Sequence, residues 1–221
     1  MSDTATRTTV HLMRHGEVYN PTGVLYGRLP DFHLSELGEQ MAERVGQWLA
    51  DSKCEIGHLV ASPLERAQET AAPFSRLLGL PIGTDERVIE AGNSFEGKIF
   101  GVGDGALRHP SAWWLVRNPL KPSWGEPYKV IAARMLAAIE DARKAAEGHD
   151  AVIVSHQLPV WTARMAVEGR RFAHDPRRRQ CSLASITSIS YEGDRVVSTT
   201  YHEPAGDLIP EALRKKFVGG A

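Results

Sequence analysis

The chain has 221 residues, 42% of them hydrophobic, enough for one substantial core, and no Ser-, Gly- or Pro-rich linker divides it, so a single domain over 1–221 is expected. Lys and Arg number 26 against 27 Asp and Glu, and this balance leaves no global field for nucleic acid or an anionic membrane. Two cysteines, Cys54 and Cys181, are too few for a disulfide framework or a metal quartet, and no run approaches bilayer length, so a reducing cytoplasm is the default location.

Thr8 to Met13 is an apolar, β-branched run that predicts a buried strand, and it delivers Arg14-His15-Gly16-Glu17 onto the loop at its end. Open α/β sheets place their ligands outside the carboxyl ends of such strands. An arginine there can fork two donors onto a phosphate, and a histidine can attack it. Asn20 to His33 carries Pro21, Gly23, Gly27 and Pro30, which exclude regular structure. Ser35 then caps a predicted helix in which Leu37, Met41, Val45, Trp48 and Leu49 recur at helical spacing and belong to the core. A second apolar run, Ile56 to Ala61, leads into Ser62-Pro63-Leu64-Glu65-Arg66-Ala67-Gln68-Glu69-Thr70. Ser62 is expected to cap the next helix, Pro63 to take its first position, and Leu64, Ala67, Ala71, Phe74 and Leu78 to form its buried face. Arg66 then lies in the first turns, where free backbone donors and the dipole favour an anion.

The segment around 98–128 interleaves Trp113, Trp114 and Trp124 with Arg108, Arg117 and Lys121 and reads as a lid-like insertion, its tryptophans either anchoring it or stacking on a substrate. A helix from about Glu126 to Glu147, a strand Ala151 to Val154 ending in Ser155-His156, and a short helix near Leu158 to Val167 continue the alternation. The predicted fold is therefore α/β, a three-layer sandwich with a mainly parallel sheet and helices on both faces. Arg177-Arg178-Arg179 is either a solvated loop or places one arginine at a substrate mouth. Leu183 to Tyr191 and Arg195 to Tyr201, joined through Glu192-Gly193-Asp194, predict a C-terminal β-hairpin at the sheet edge, and Pro210 to Ala221 a loose tail. Nine histidines include no HExxH or other close ligand pair, so neither a metal site nor a cofactor is expected.

RHGE near the N-terminus, SPLxRAxET after the second strand and a late Ser-His after the third resemble, in order and spacing, the histidine phosphatase superfamily, also called the phosphoglycerate mutase-like family. The likeness runs from about Thr9 to Glu203 and is weak between Lys98 and Lys121. It implies that His15 becomes phosphorylated, that Arg14 and Arg66 clamp the phosphoryl group, and that His156 is the second imidazole stabilising it. Glu90, before Ala91-Gly92-Asn93-Ser94-Phe95-Glu96-Gly97, is similar to the family's acidic motif and is read as the proton donor, with Glu17 and Glu96 as alternatives. Asn20 is a phosphate-contact candidate one position earlier than the asparagine of the mutase branch. Gln157-Leu158 stands where many members have glycines, which puts bulk and an amide on the pocket wall.

The leading expectation is a metal-independent phosphomonoester hydrolase working through phosphohistidine on a small phosphorylated metabolite. A phosphoglycerate mutase shares the pocket, and a non-catalytic phosphate-binding module is the reading from another class. No nucleic-acid or membrane partner is expected, and a homodimer is left open.

Overall fold

The computed structural model describes residues 6–52, 54–99, 125–146 and 148–210. Of the 98–128 segment, residues 100–124, with all three tryptophans, Arg108, Arg117 and Lys121, lie outside the described residues, as do 211–221 of the tail. Strands β1 (Arg7–Arg14), β2 (Ile56–Ala61), β3 (Gly83–Thr84), β4 (Asp150–Ser155), β5 (Ile186–Glu192) and β6 (Arg195–His202) form one sheet in the order β3-β2-β4-β1-β5-β6. The pairs β2/β3, β2/β4 and β1/β4 are parallel, and β5 and β6 continue the sheet antiparallel from β1. The mainly parallel sheet with an edge hairpin is thus observed, and β3 is an additional two-residue strand with no periodicity to announce it.

Helices α1 (Glu36–Asp51) and α2 (Glu65–Leu78) cover one face, α3 (Tyr128–Ala145) and α4 (Gln157–Val167) the other. Alternation along β1 feeds both layers, since Val10 and Leu12 join the α3/α4 core while Met13 joins the α1/α2 core. The expected stripes are the buried ones: Met41, Val45 and Leu49 on α1, and Ala67, Ala71 and Phe74 on α2. Ser35 caps α1 through the Gly38 N–H, as its position predicts. No helix of the described residues is long and apolar enough to cross a membrane.

Two boundaries differ from expectation for tertiary reasons. Ser62 does not cap α2; Leu64 occupies the cap without a side-chain bond, and the Ser62 hydroxyl faces His156 instead. β5 begins at Ile186 rather than Leu183, because the residues before it close over the first strand-end loop. Ala184, at φ 52°, donates its N–H to the His15 carbonyl (3.2 Å), and Arg14 N–H reaches the Ser185 carbonyl (3.1 Å).

That loop is clamped from the other side by the start of α1. Ser35 N–H donates to Glu17 carbonyl (3.0 Å), and a Cβ at Gly38 would stand 2.0 Å from the same oxygen. Only glycine permits this approach. Gly38→Ala is therefore expected to cost about 3 kcal/mol or more, the upper end of overpacking penalties, because the obstacle is backbone rather than a flexible side chain. Urea unfolding checks it: a midpoint shift with unchanged slope is expected, and a loss under about 1 kcal/mol would refute the clamp.

Candidate active site

The carboxyl ends of the adjacent strands β2, β4 and β1 bring Ser62, His156 and Arg14-His15 to one edge. Backbone bonds tie these ends together: His15 N–H to Ser155 carbonyl (3.1 Å), and Ser62 N–H to Val154 carbonyl (2.9 Å). The His15 and His156 rings lie 5.2 Å apart, edge to face, and both are buried.

Hydrogen bonding sets the state of each ring. His15 Nδ1 contacts the Gly16 carbonyl at 2.7 Å; a carbonyl only accepts, so the proton is on Nδ1 and Nε2 keeps its lone pair. His156 Nε2 meets Ser62 Oγ at 2.8 Å, and that hydroxyl also accepts the Leu64 N–H (3.4 Å). With Ser62 donating to Nε2, the neutral ring carries its proton on Nδ1, a buried atom with no hydrogen-bond partner. Burial, reinforced by the Arg66 and Arg14 charges, holds the pKa of both imidazoles well below the usual histidine value. Both rings are therefore neutral at pH 7, one with a lone pair free on Nε2 and the other with an N–H to donate from Nδ1.

Arg66 is fully buried on α2. Its Nη2 donates to the Gly27 carbonyl (2.5 Å) and its guanidinium lies 4.7 Å from the Tyr26 ring centroid, while Nε and Nη1 have no partner. Unsatisfied buried donors on a cation are costly unless an anion completes them. Arg14, equally buried, donates Nη1 to the Cys181 carbonyl (2.9 Å). The other residues of the second motif hold this geometry. Thr70 Oγ1 accepts Gly16 N–H (3.1 Å), and Glu69 accepts Leu34 N–H (2.8 Å), pinning the Asn20–His33 loop that supplies Gly27 and Tyr26.

Glu90 is 1% exposed and in electrostatic reach of Arg66, Arg14 and Arg179. Burial raises its pKa above the ordinary glutamate value, although the Ala91 N–H bonded to it (2.7 Å) pulls the other way. Its backbone is held by four consecutive carbonyls: Arg134 takes those of Arg87 and Ile89 (2.6 and 2.7 Å), Ser155 Oγ that of Val88 (2.6 Å), and Arg28 that of Glu90 (2.6 Å). The two alternative carboxylates have other work. Glu17 accepts from the Ser35 hydroxyl, and Glu96 accepts the Arg28 and Asn93 N–H groups (3.2 Å each). Asn20 likewise closes its own loop, its amide donating to Val24 carbonyl (2.9 Å) and accepting Val24 N–H (3.3 Å).

Of the three-arginine run, Arg179 joins the site's network. Its Nη1 donates to Gln157 Oε1 (3.3 Å) and its Nε to His174 Nε2 (2.9 Å), and Gln157 Nε2 reaches the Cys181 carbonyl that Arg14 also uses (3.4 Å). These partners are neutral, so among the described residues no ion pair compensates the Arg179 charge. Tyr26, Arg134, Arg28 and Gln157's bridging role had no sequence signal beyond residue type, because each acts through a partner far along the chain.

The profile of the histidine phosphatase superfamily (branch 1) matches residues 10–204. Rv0525 of Mycobacterium tuberculosis is 57% identical over 198 residues, covering 90% of this chain and 97% of that protein. A probable phosphoglycerate mutase GpmB of an Enterobacter species is 29% identical, covering 90% and 93% respectively. Among solved structures, a phosphoserine phosphatase mutant from Entamoeba histolytica in complex with phosphoserine superposes with a TM-score of 0.70 at 23% identity, over 91% of this chain and all of that one, a likeness of fold. With its motifs at the ends of three parallel strands and the profile spanning nearly its whole length, the chain belongs to the histidine phosphatase superfamily.

Proposed function

We propose that this protein hydrolyses small phosphomonoesters through a phosphohistidine formed on His15, without needing a metal. The observation that carries the reading is the neutral His15 imidazole, with its Nε2 lone pair available, beside the unsatisfied donors of Arg66 and His156. In the first step Nε2 attacks phosphorus, the bond to the ester oxygen breaks, and Glu90 protonates the departing alkoxide. In the second, the Glu90 carboxylate removes a proton from water, the hydroxide oxygen attacks phosphorus, and the P–N bond breaks to release phosphate. Arg14, Arg66 and the His156 Nδ1–H stabilise the charge on the transferring group in both steps.

The test is phosphate release from an aryl phosphate in excess chelator, with a rapid quench to trap acid-labile phosphoryl label on the chain. Release together with transient label on His15 is expected. Stable label returned only to a phosphoglycerate acceptor would assign the mutase instead, and neither signal would overturn both.

Arg179 gives a second expected outcome. Its charge acts on Glu90, on the leaving-group side, and so is placed to meet a negative charge on the departing alcohol. Arg179→Gln should raise KM about tenfold for an ester with an anionic leaving group, the worth of one charge-assisted hydrogen bond, and leave p-nitrophenyl phosphate within about twofold. Equal losses on both substrates would make Arg179 a purely structural residue.

A further inference from the structure

A second cluster of reactive side chains lies at the opposite, amino-terminal end of the parallel strands. His11 on β1, Asp150 at the start of β4 and Cys54 in the connection from α1 to β2 place one ligand atom each within 4.8 Å of one another. Three contacts assemble them. Asp150 N–H donates to the Glu55 carbonyl (2.8 Å), which draws the Cys54 connection onto β4; Thr9 N–H donates to Asp150 Oδ1 (2.7 Å); and His11 Nδ1 is engaged by Ser188 Oγ (2.8 Å).

The outer contacts leave the inner atoms facing one another. With Nδ1 bound to Ser188 and Oδ1 to Thr9, the buried His11 Nε2 and Asp150 Oδ2 face one another 3.5 Å apart, an ion pair when the ring is protonated. A nucleophilic relay needs the carboxylate on one imidazole nitrogen and the thiol on the other. Here Ser188 occupies Nδ1, leaving one nitrogen for both, and N, O and S donors within 4.8 Å of one another make a ligand set rather than a relay. The imidazole and the carboxylate are each also oriented by a hydrogen bond at the far atom, as metal-binding imidazoles and carboxylates are.

We propose that His11 Nε2, Cys54 Sγ and Asp150 Oδ2 form a binding site for a divalent cation of borderline softness, with Zn2+ as the best match to an N, S, O donor set. Bonds of about 2.0–2.3 Å hold tetrahedral donors roughly 3.5 Å apart, so the site contracts by about an ångström, within reach of rotation of the half-buried Cys54 side chain. On binding, the Cys54 S–H bond breaks, its proton goes to solvent and a sulfur–metal bond forms without redox change. Solvent fills the fourth position on the open side of Cys54. The ion would fasten the middle of β1, at His11, and the start of β4 to the α1–β2 connection, independently of the phosphoryl site.

Cysteine chemistry reads the site directly, because Cys181 is buried with its pKa pushed up to about 11 and leaves Cys54 as the thiol that reacts at neutral pH. The full-length, metal-stripped protein is titrated with Co2+, and separately with Zn2+ while Cys54 labelling by a thiol reagent is timed. Expected are a thiolate-to-cobalt charge-transfer band saturating at one ion per chain, and slowing of labelling by Zn2+ of about tenfold or more. Cys54→Ser should abolish the band, Asp150→Asn should weaken the Zn2+ protection while Cys54 still reacts, and His15→Ala should change neither. Absence of the band in the wild type, its persistence in Cys54→Ser, or undiminished protection in Asp150→Asn would each overturn the assignment. An unchanged metal-free melting temperature in both variants shows that the fold is intact.

Discussion

His15→Ala is expected to lower kcat/KM for every phosphomonoester at least about 10^4-fold, roughly 5.5 kcal/mol of transition-state stabilisation. The size follows from the kind of group removed. Nε2 is the lone pair at this edge held free of a hydrogen bond and kept neutral, and its loss leaves water as the sole nucleophile. Binding should survive, since Arg66 Nε and Nη1 and His156 Nδ1 still await an anion. The variant should therefore bind vanadate or a phosphate ester with Kd within about tenfold of wild type while turning nothing over, an outcome read by calorimetry and phosphate release together. Activity within about tenfold of wild type would move the nucleophile elsewhere.

Glu90→Gln should separate substrates by their leaving groups. An alkyl phosphate needs a proton on the departing oxygen, and loss of a general acid costs about 10^2–10^4-fold. A p-nitrophenyl ester leaves unaided and should lose about tenfold or less in its first step. The pH profile carries the sign. The proposed mechanism requires His15 neutral and Glu90 protonated in the free enzyme, so rate should rise as pH climbs through the His15 value and fall as it climbs through the Glu90 value. Burial lowers the first below the ordinary histidine value and raises the second above the ordinary glutamate value, and both shifts enlarge the fraction of enzyme that carries this protonation pattern. In Glu90→Gln the basic limb for alkyl esters should disappear while the acidic limb stays. Retention of the basic limb would assign it to another group. Arg134 should act on the same limb from a distance, because its two bonds to the Arg87 and Ile89 carbonyls set where the Glu90 carboxyl stands.

The strands and helices that carry the site were legible because their signals are local. β2 spans Ile56–Ala61, the apolar run itself, and α1 follows its Ser35 cap and apolar stripe. Ser62 marks the limit of such local signals. A serine before a proline and an acidic helix start satisfies every local capping rule, yet the cap falls at Leu64, and the Ser62 hydroxyl accepts the Leu64 N–H ahead of the helix while donating to a histidine brought up by the neighbouring strand. The residues of the second motif were recognisable as a set while their separate tasks were hidden, since Thr70 acts on Gly16 and Glu69 on Leu34.

The sequence by itself determined the α/β class, the edge hairpin, the placing of Arg14-His15 and His156 at strand ends and that of Arg66 in the first turn of the helix after β2, because periodicity and the consecutive step from strand to loop or helix are encoded within a few residues. Only the tertiary structure decided that Glu90 rather than Glu17 or Glu96 is the buried carboxyl, that Tyr26 floors Arg66, that Arg179 reaches inward, and that His11, Cys54 and Asp150 come together. Each of those facts joins residues tens to more than a hundred positions apart, and sheet order, burial and loop closure, not spacing along the chain, set which of them meet.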